Sequence, residues 1–171
     1  MNYTKFSRQY QVRLLCQKDV PDIFLLCAKN KQFYQFCPPF VTEKSIRQDL
    51  KALPPRKTAI DKYYLGYFNA KQDLVAVLDL IDHYPDEKTC FIGFFMMERE
   101  FQKKGIGSSI ISELCTSLRE MGYQNLRLGF VDGNSQSENF WHKNQFKENG
   151  IRVQTENYTI IVMNRDLKPG M

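Results

Sequence analysis

No block of like charge runs through this chain. Its lysines and arginines occur singly or in pairs such as Arg56-Lys57 and Lys103-Lys104, although the formal charge is +5. Without long basic tracts the footprint of a nucleic-acid binder is missing, so no nucleic-acid partner is expected, and the mild excess suits an anionic small ligand. The rest reads as a solvated, mildly basic surface.

Paired cysteine spacing is also missing. Cys16, Cys27, Cys37, Cys90 and Cys115 make an odd count with no C-x-x-C, which excludes a disulfide framework and a zinc-type ligand set. They read as small apolar residues of a reducing compartment. The two histidines, His83 and His142, stand alone, so no metal is expected. Long apolar runs are absent: the stretch around Cys90 to Met97 is far below membrane-spanning length, and MNYTKFSRQYQVRLL has no signal-type segment. These absences predict a soluble, cytoplasmic protein without a membrane partner. No repeat, linker or low-complexity segment appears, and 171 residues at 43% hydrophobic content predict one domain over 1–171.

What is present is an ordered series of periodic segments. Gln11 to Leu15 predicts a strand, and Asp19-Val20-Pro21-Asp22 opens a helix with Ile23, Leu26 and Cys27 on one side, ended by Cys37-Pro38-Pro39. Thr42 to Leu53 predicts a second helix on Thr42, Ile46, Leu50 and Leu53, stopped by Pro54-Pro55. Tyr63 to Phe68, Leu74 to Ile81 and Cys90 to Met97, joined by short polar loops, predict an antiparallel meander. Ile106, Ile110, Leu114 and Leu118 form one face of a helix that stops near Gly122, and Asn125 to Val131 is the next strand. A crossover helix of that length predicts that the strands on either side of it pair in parallel. Asn134 or Ser135 caps a short helix, with Ser135 and Glu138 at capping-box spacing, and strands near Phe146 to Gln154 and Tyr158 to Asn164 follow.

The junction between strand and crossover helix carries the chemistry. Gly105 and Gly107 lie one residue apart behind Lys103 and Lys104, at a helix start whose unpaired N–H groups and partial positive charge attract phosphate. Glycine at both positions removes side chains that would block that approach. The spacing is neither a Walker loop nor G-x-G-x-x-G, which disfavours ATP and NAD.

Gln102-Lys103-Lys104-Gly105-Ile106-Gly107 has the form Q-x-x-G-x-G, and residues 134 to 146, NSQSENFWHKNQF, follow N-x-x-A-x-x-F-Y-x-x-x-G-F with Asn134, Ser137, Phe140, Trp141 and Phe146 in register. In these motifs and in its order of elements the chain resembles the GNAT superfamily of acetyl-CoA-dependent N-acetyltransferases. The resemblance implies a mixed α/β (α+β) fold with a central twisted, antiparallel-parallel sheet of about seven strands and about four flanking helices. It implies acetyl-CoA as cosubstrate, its pyrophosphate held by Gln102, Lys103, Lys104, Gly105, Ile106, Gly107 and Ser108. Its pantetheine arm would lie against Met96 and Met97 on one side and Asn134, Ser137 and Trp141 on the other. The expected reaction is direct attack by an amine on the thioester, with no covalent enzyme intermediate, because neither Cys90 nor Cys115 looks like a nucleophile.

Two positions depart from the family. Trp141 stands where many relatives have a tyrosine acid, and indole is no acid near neutral pH. Gly93 stands where several carry a glutamate or histidine, with Phe91 and Phe95 read as sharing its face. Candidate acids and bases are therefore sought elsewhere, among Asp79, Asp82, His83 and Glu98. Asp82 and His83, like Asp86 and Glu87, read as members of a solvated turn. Asp79 and Glu98 are the catalytic candidates, Asp79 first, since an idle carboxylate between Leu78 and Leu80 would be costly to bury. Phe33, Tyr34, Phe36 and Phe40 either wall an acceptor pocket or pack in the core.

The expected partner is a small-molecule amine. A non-catalytic CoA-binding regulator and an acetyltransferase of a macromolecule, such as a protein amino terminus or aminoacyl-tRNA, remain as alternatives. A homodimer is compatible with the final strands serving as pairing edges.

Overall fold

Strand-forming stretches of β-branched and aromatic residues assemble one seven-stranded sheet in the order β1-β2-β3-β4-β5-β7-β6. The computed structural model describes residues 1–168, so the last three residues of the expected 1–171 domain lie outside the described residues. Strands β2 (Lys62–Phe68), β3 (Leu74–Ile81) and β4 (Thr89–Met97) pair antiparallel as the short polar loops predict, and β1 (Gln11–Leu14) adds antiparallel to β2. Strand β5 (Asn125–Val131) runs parallel to β4 after the crossover helix α4 (Ile106–Glu120). Strands β6 (Lys147–Gln154) and β7 (Thr159–Asp166) complete the sheet. Of these two only β6 is an edge: β7 is sandwiched between β5 and β6, so one of the two expected pairing edges is already paired.

Helices cover both faces. On one, Ile110, Ile111, Leu114 and Leu118 of α4 pack with Leu78, Leu80, Ile92, Trp141 and Phe146. Burying such side chains fully is worth roughly 1.5–3 kcal/mol each. On the other, Ile23, Leu26 and Cys27 of α1 (Val20–Ala28) and Ile46 of α3 (Glu43–Asp49) pack on Tyr64, Val77 and Met96.

Among the described residues five α-helices form where about four were expected, because Asn30 (ψ 52°) separates α1 from α2 (Lys31–Phe36). Its buried side chain donates to Leu26 O and Met97 O, taking the carbonyl its own N–H would bond in a continued helix, and that N–H turns to Cys27 O at 2.9 Å. Helix α3 is shorter than the predicted 42–53: Thr42 is its cap, accepting from Ser45 N at 3.0 Å, and the helix ends at Asp49 with Leu53 exposed. In α5 (Ser135–Lys143) the cap is Asn134, whose Oδ1 accepts from Ser137 N at 3.2 Å; Ser135 and Glu138 form no capping box.

Strand β4 carries the one distortion that shapes the site. Asp79 pairs with Phe94 and Leu80 with Ile92, leaving Gly93 as the extra residue of a β-bulge. The bulge inverts the alternation, so Phe94 joins Gly93 on the α1 face while Phe95 and Met97 turn to the α4 face. Phe95 therefore does not share a face with Gly93, contrary to the regular period-2 reading.

Candidate active site

The loop between β4 and α4 is built from its anchors. After a short 3-10 turn (Arg99–Phe101), the Gln102 amide donates to Asn30 Oδ1 at 2.6 Å and to Met97 O at 3.0 Å. Gln102 thus faces inward and pins the loop to the end of β4, and Met97 O is already engaged within the protein. Lys103 and Gly105 both take left-handed φ, 60° and 78°, which turns the chain sharply into α4.

The two glycines answer different demands. A Cβ on Gly105 would meet no heavy atom within 4 Å, so this position is open to a ligand and its glycine serves the turn. Gly107 is buried, and a Cβ there would come within 2.9 Å of Met97 Sδ and 3.2 Å of the Phe140 ring. Its missing side chain makes room for protein packing rather than for phosphate. Ser108 is likewise tied inward, accepting from Asn144 Nδ2 at 3.2 Å. Lys103 and Lys104 are exposed and, among the described residues, form no ion pair.

Beside the loop the sheet opens. β4 and β5 pair only from Thr89↔Asn125 to Ile92↔Leu128, although the strands run on to Met97 and Val131. The separation begins at the Gly93 bulge. Phe95 stacks on Phe140 at 5.8 Å and meets Trp141 at 6.0 Å, and Trp141 packs on Phe146 at 5.1 Å. Trp141 is a buried member of this aromatic group; Ser137 lies one turn before it, and Asn134, also buried, caps the helix about two turns before it.

The candidate acids are both paired. Asp79 Oδ1 and Oδ2 accept from Lys62 Nζ at 2.8 and 2.7 Å, and both side chains are buried. Burial raises the Asp79 carboxyl above the usual carboxylate range, and Lys62 opposes that shift. On the far side, a Cβ at Gly93 would stand 2.7 Å from Asp79 Oδ2, so the bulged glycine leaves the carboxylate its space. Glu98 accepts from Lys29 Nζ at 3.0 Å and from Arg99 N at 2.8 Å, linking the loop entry to the end of α1.

Aromatic side chains wall the α1–α3 side. Phe33 meets Tyr34 at 5.0 Å and Phe94 at 5.8 Å, and Tyr34 meets Phe40 at 5.2 Å. Cys37, after α2, approaches the Tyr158 hydroxyl of the β6–β7 hairpin at 3.7 Å, joining the two flanks. Neither Lys62, Lys29, Asn30 nor Tyr158 was marked by motif reading. The one available signal was Gly93 itself, since a lone glycine within a strand pattern is a mark of a bulge.

Asp82 and His83 do not sit in a merely solvated turn. The Tyr123 hydroxyl donates to Asp82 Oδ1 and lies 3.3 Å from His83 Nε2, while His83 Nδ1 lies 2.8 Å from Glu87 O. This cluster occupies the end of β3 away from the loop. Cys27, Cys90 and Cys115 are buried as expected, but Cys16 is exposed. His142 is not alone: with Glu138 one turn earlier and Glu148 of β6 it brings three ligand-type atoms within 4.8 Å of one another. All three are partly solvated, and Arg152 lies 3.9 Å from Glu148.

The model of the acetyltransferase (GNAT) family matches residues 29–146. An acetyltransferase from Thermus thermophilus superposes with a TM-score of 0.73 at 17% identity, over 92% of this chain and 97% of that one. The spermidine N-acetyltransferase from Vibrio cholerae, solved in complex with CoA and spermine, superposes with a TM-score of 0.68 at 14% identity, over 94% and 97%. None of the curated proteins matches the chain in sequence.

Proposed function

The chain belongs to the acetyltransferase (GNAT) family and is an acyltransferase, and from that premise we propose that it moves the acetyl group of acetyl-CoA onto the primary amine of a small molecule. The observation that carries this reading is a coincidence of position: β4 and β5 part after Ile92, and Asp79 faces the next residue, Gly93. A carboxylate thus stands where the sheet opens.

Acetyl-CoA supplies the activated thioester. Its pyrophosphate would be held by the first-turn N–H groups of α4 at Ile106, Gly107 and Ser108, over the open Gly105, with Lys103 and Lys104 alongside. Gln102 acts by shaping this loop through Asn30 and Met97 O. The arm would run through the gap between Met96-Met97 and the Asn134, Ser137 and Trp141 side. These residues present an open helix start, exposed cations and a strand gap, so they fit the group.

The acceptor would lie beside the aromatic group of Phe33, Tyr34, Phe40 and Phe94. Asp79 draws the ammonium in and takes one of its protons, leaving a neutral nitrogen to attack the carbonyl. As the carbon–sulfur bond breaks, the nitrogen would give up its second proton, which water would carry to the departing thiolate. Direct attack is supported by the cysteines: burial pushes the Cys115 thiol up to about 11 and the Cys90 thiol higher, so neither is a ready nucleophile. Of the two candidate acids the reading favours Asp79. Glu98, held by Lys29 at the loop entry, comes second. The Vibrio neighbour solved with spermine supports a small cationic acceptor.

The test is thiol release from acetyl-CoA across polyamines, amino acids, aminoglycosides and short peptides, run beside calorimetric titration of CoA. Release with one amine class supports the proposal and names the acceptor. Release only with peptides, or only when charged tRNA is added to the panel, overturns the small-molecule acceptor, and tight CoA binding without release from any of them favours a regulator.

A further inference from the structure

Lys62 opens β2, and its stem and ammonium are buried, only 5% of the side chain being exposed. Hiding an ammonium is costly unless it is paired, and a pair that serves stability alone is often no better than apolar packing. Here the partner is the acid that faces the bulge. The ammonium meets both Asp79 oxygens, at 2.8 and 2.7 Å, and sits 5.6 Å from the centre of the Tyr64 ring. Tyr64 is directly opposite Asp79 in the ladder.

We propose that Lys62 is a positioning residue for acetyl transfer: it grips both Asp79 oxygens, fixes the carboxylate against the Gly93 bulge and supplies the counter-charge that keeps it a proton acceptor. This rests on the reading of Asp79 as the base.

The surroundings leave that task to Lys62. From β4, Gly93 and Phe94 bring no charge to Asp79. From β2, Tyr64 is opposite, and burial holds its hydroxyl well above the ordinary phenol range. Next to Tyr64, Cys27 of α1 is pushed up to about 12 by burial, and Tyr34 of α2 is pushed up as well, so both are neutral near pH 7. From α3, Asp49 is itself raised by partial burial and adds negative charge that works against ionisation of Asp79. Burial and Asp49 thus favour the protonated acid, which could accept nothing, and Lys62 is the cation that opposes them. The grip also holds the carboxylate close to Gly93, where it borders the opening of the sheet.

The test is a titration of the Asp79 carboxyl carbon by NMR, in the whole chain carrying carbon-13-labelled aspartate, with D79N assigning the signal. Thiol release against pH is followed in the same proteins, using whichever panel amine gives turnover. In K62M the Asp79 midpoint is expected to move up by about one to three pH units, with the acid limb of the rate moving alongside it. K62R is expected to restore both. K62Q replaces K62M if the latter loses its cooperative melting transition, since it keeps a donor and removes the charge. An unmoved midpoint in the uncharged variant, with a rate lowered equally at every pH, overturns the proposal and leaves Asp79 as the base. Full turnover by D79N overturns the base reading itself, and with it a role for Lys62 in the reaction.

Discussion

Gly93 and Asp79 share one volume: a Cβ on the glycine would stand 2.7 Å from the carboxylate oxygen Oδ2. The bulge that sets Gly93 against Asp79 also marks where β4 leaves β5, so an acid and an opening in the sheet meet at one residue. Because Lys62 holds both carboxylate oxygens, the acid cannot swing aside cheaply.

Gly93→Ala is therefore expected to push Asp79 out of place and lower kcat roughly 10- to 100-fold, with CoA affinity unchanged. Steady-state kinetics and CoA titration check this. An unaltered kcat would place the reacting centre elsewhere.

The loop glycines should separate binding from folding. Gly105→Leu forces a bulky side chain into left-handed backbone at the open face, at a cost of about 1–2 kcal/mol, and is expected to abolish CoA binding while the protein still melts cooperatively. Gly107→Ala presses on Met97 and Phe140 and is expected to cost about 1–3 kcal/mol of stability. Denaturant unfolding beside CoA titration distinguishes the two effects.

Stability should fall in acid through Asp19. Its carboxyl lies below the usual range, first because Arg13 donates to it, at 2.8 Å, and also because Cys16 N donates at 2.7 Å. A carboxyl lowered by folding stabilises the native state above its unfolded value, 3.8, and loses that contribution as pH falls through the lower folded value. Asp19→Asn is expected to reduce stability near pH 7 and flatten its dependence in this acid window, as measured by urea unfolding at stepped pH.

Thiol labelling should follow burial. Cys27 and Cys115 are buried, with thiols pushed up to about 12 and 11, and Cys90 is buried too. Iodoacetamide at neutral pH is expected to modify the exposed Cys16 first and to reach the three buried thiols only on unfolding. Peptide mass spectrometry reads the order.

Cutting the core beneath the loop tests the fold. Leu114 of α4 is fully buried, and Leu114→Ala is expected to cost about 2–5 kcal/mol. Chemical denaturation measures the loss.

Much of the architecture could be read in the chain because it is written in local periods. The short apolar run of Leu74 to Ile81, the Ile106–Leu118 stripe and the glycine turn ahead of it each need only neighbouring residues to be recognised. From them follow the meander, the parallel crossover and the loop at the start of α4. Tertiary structure alone decided what those residues face. Lys62 and Asp79 are seventeen positions apart and meet only through the register of β2 on β3. One extra residue at Gly93 inverts the faces of everything after it, so Phe95 turns to the α4 face and a carboxylate from the neighbouring strand β3 comes to border the glycine. Gln102 turns inward because Asn30, brought over by the α1–α2 break, offers it a partner. Local pattern carries the backbone's course, whereas partner choice depends on register and packing between distant segments.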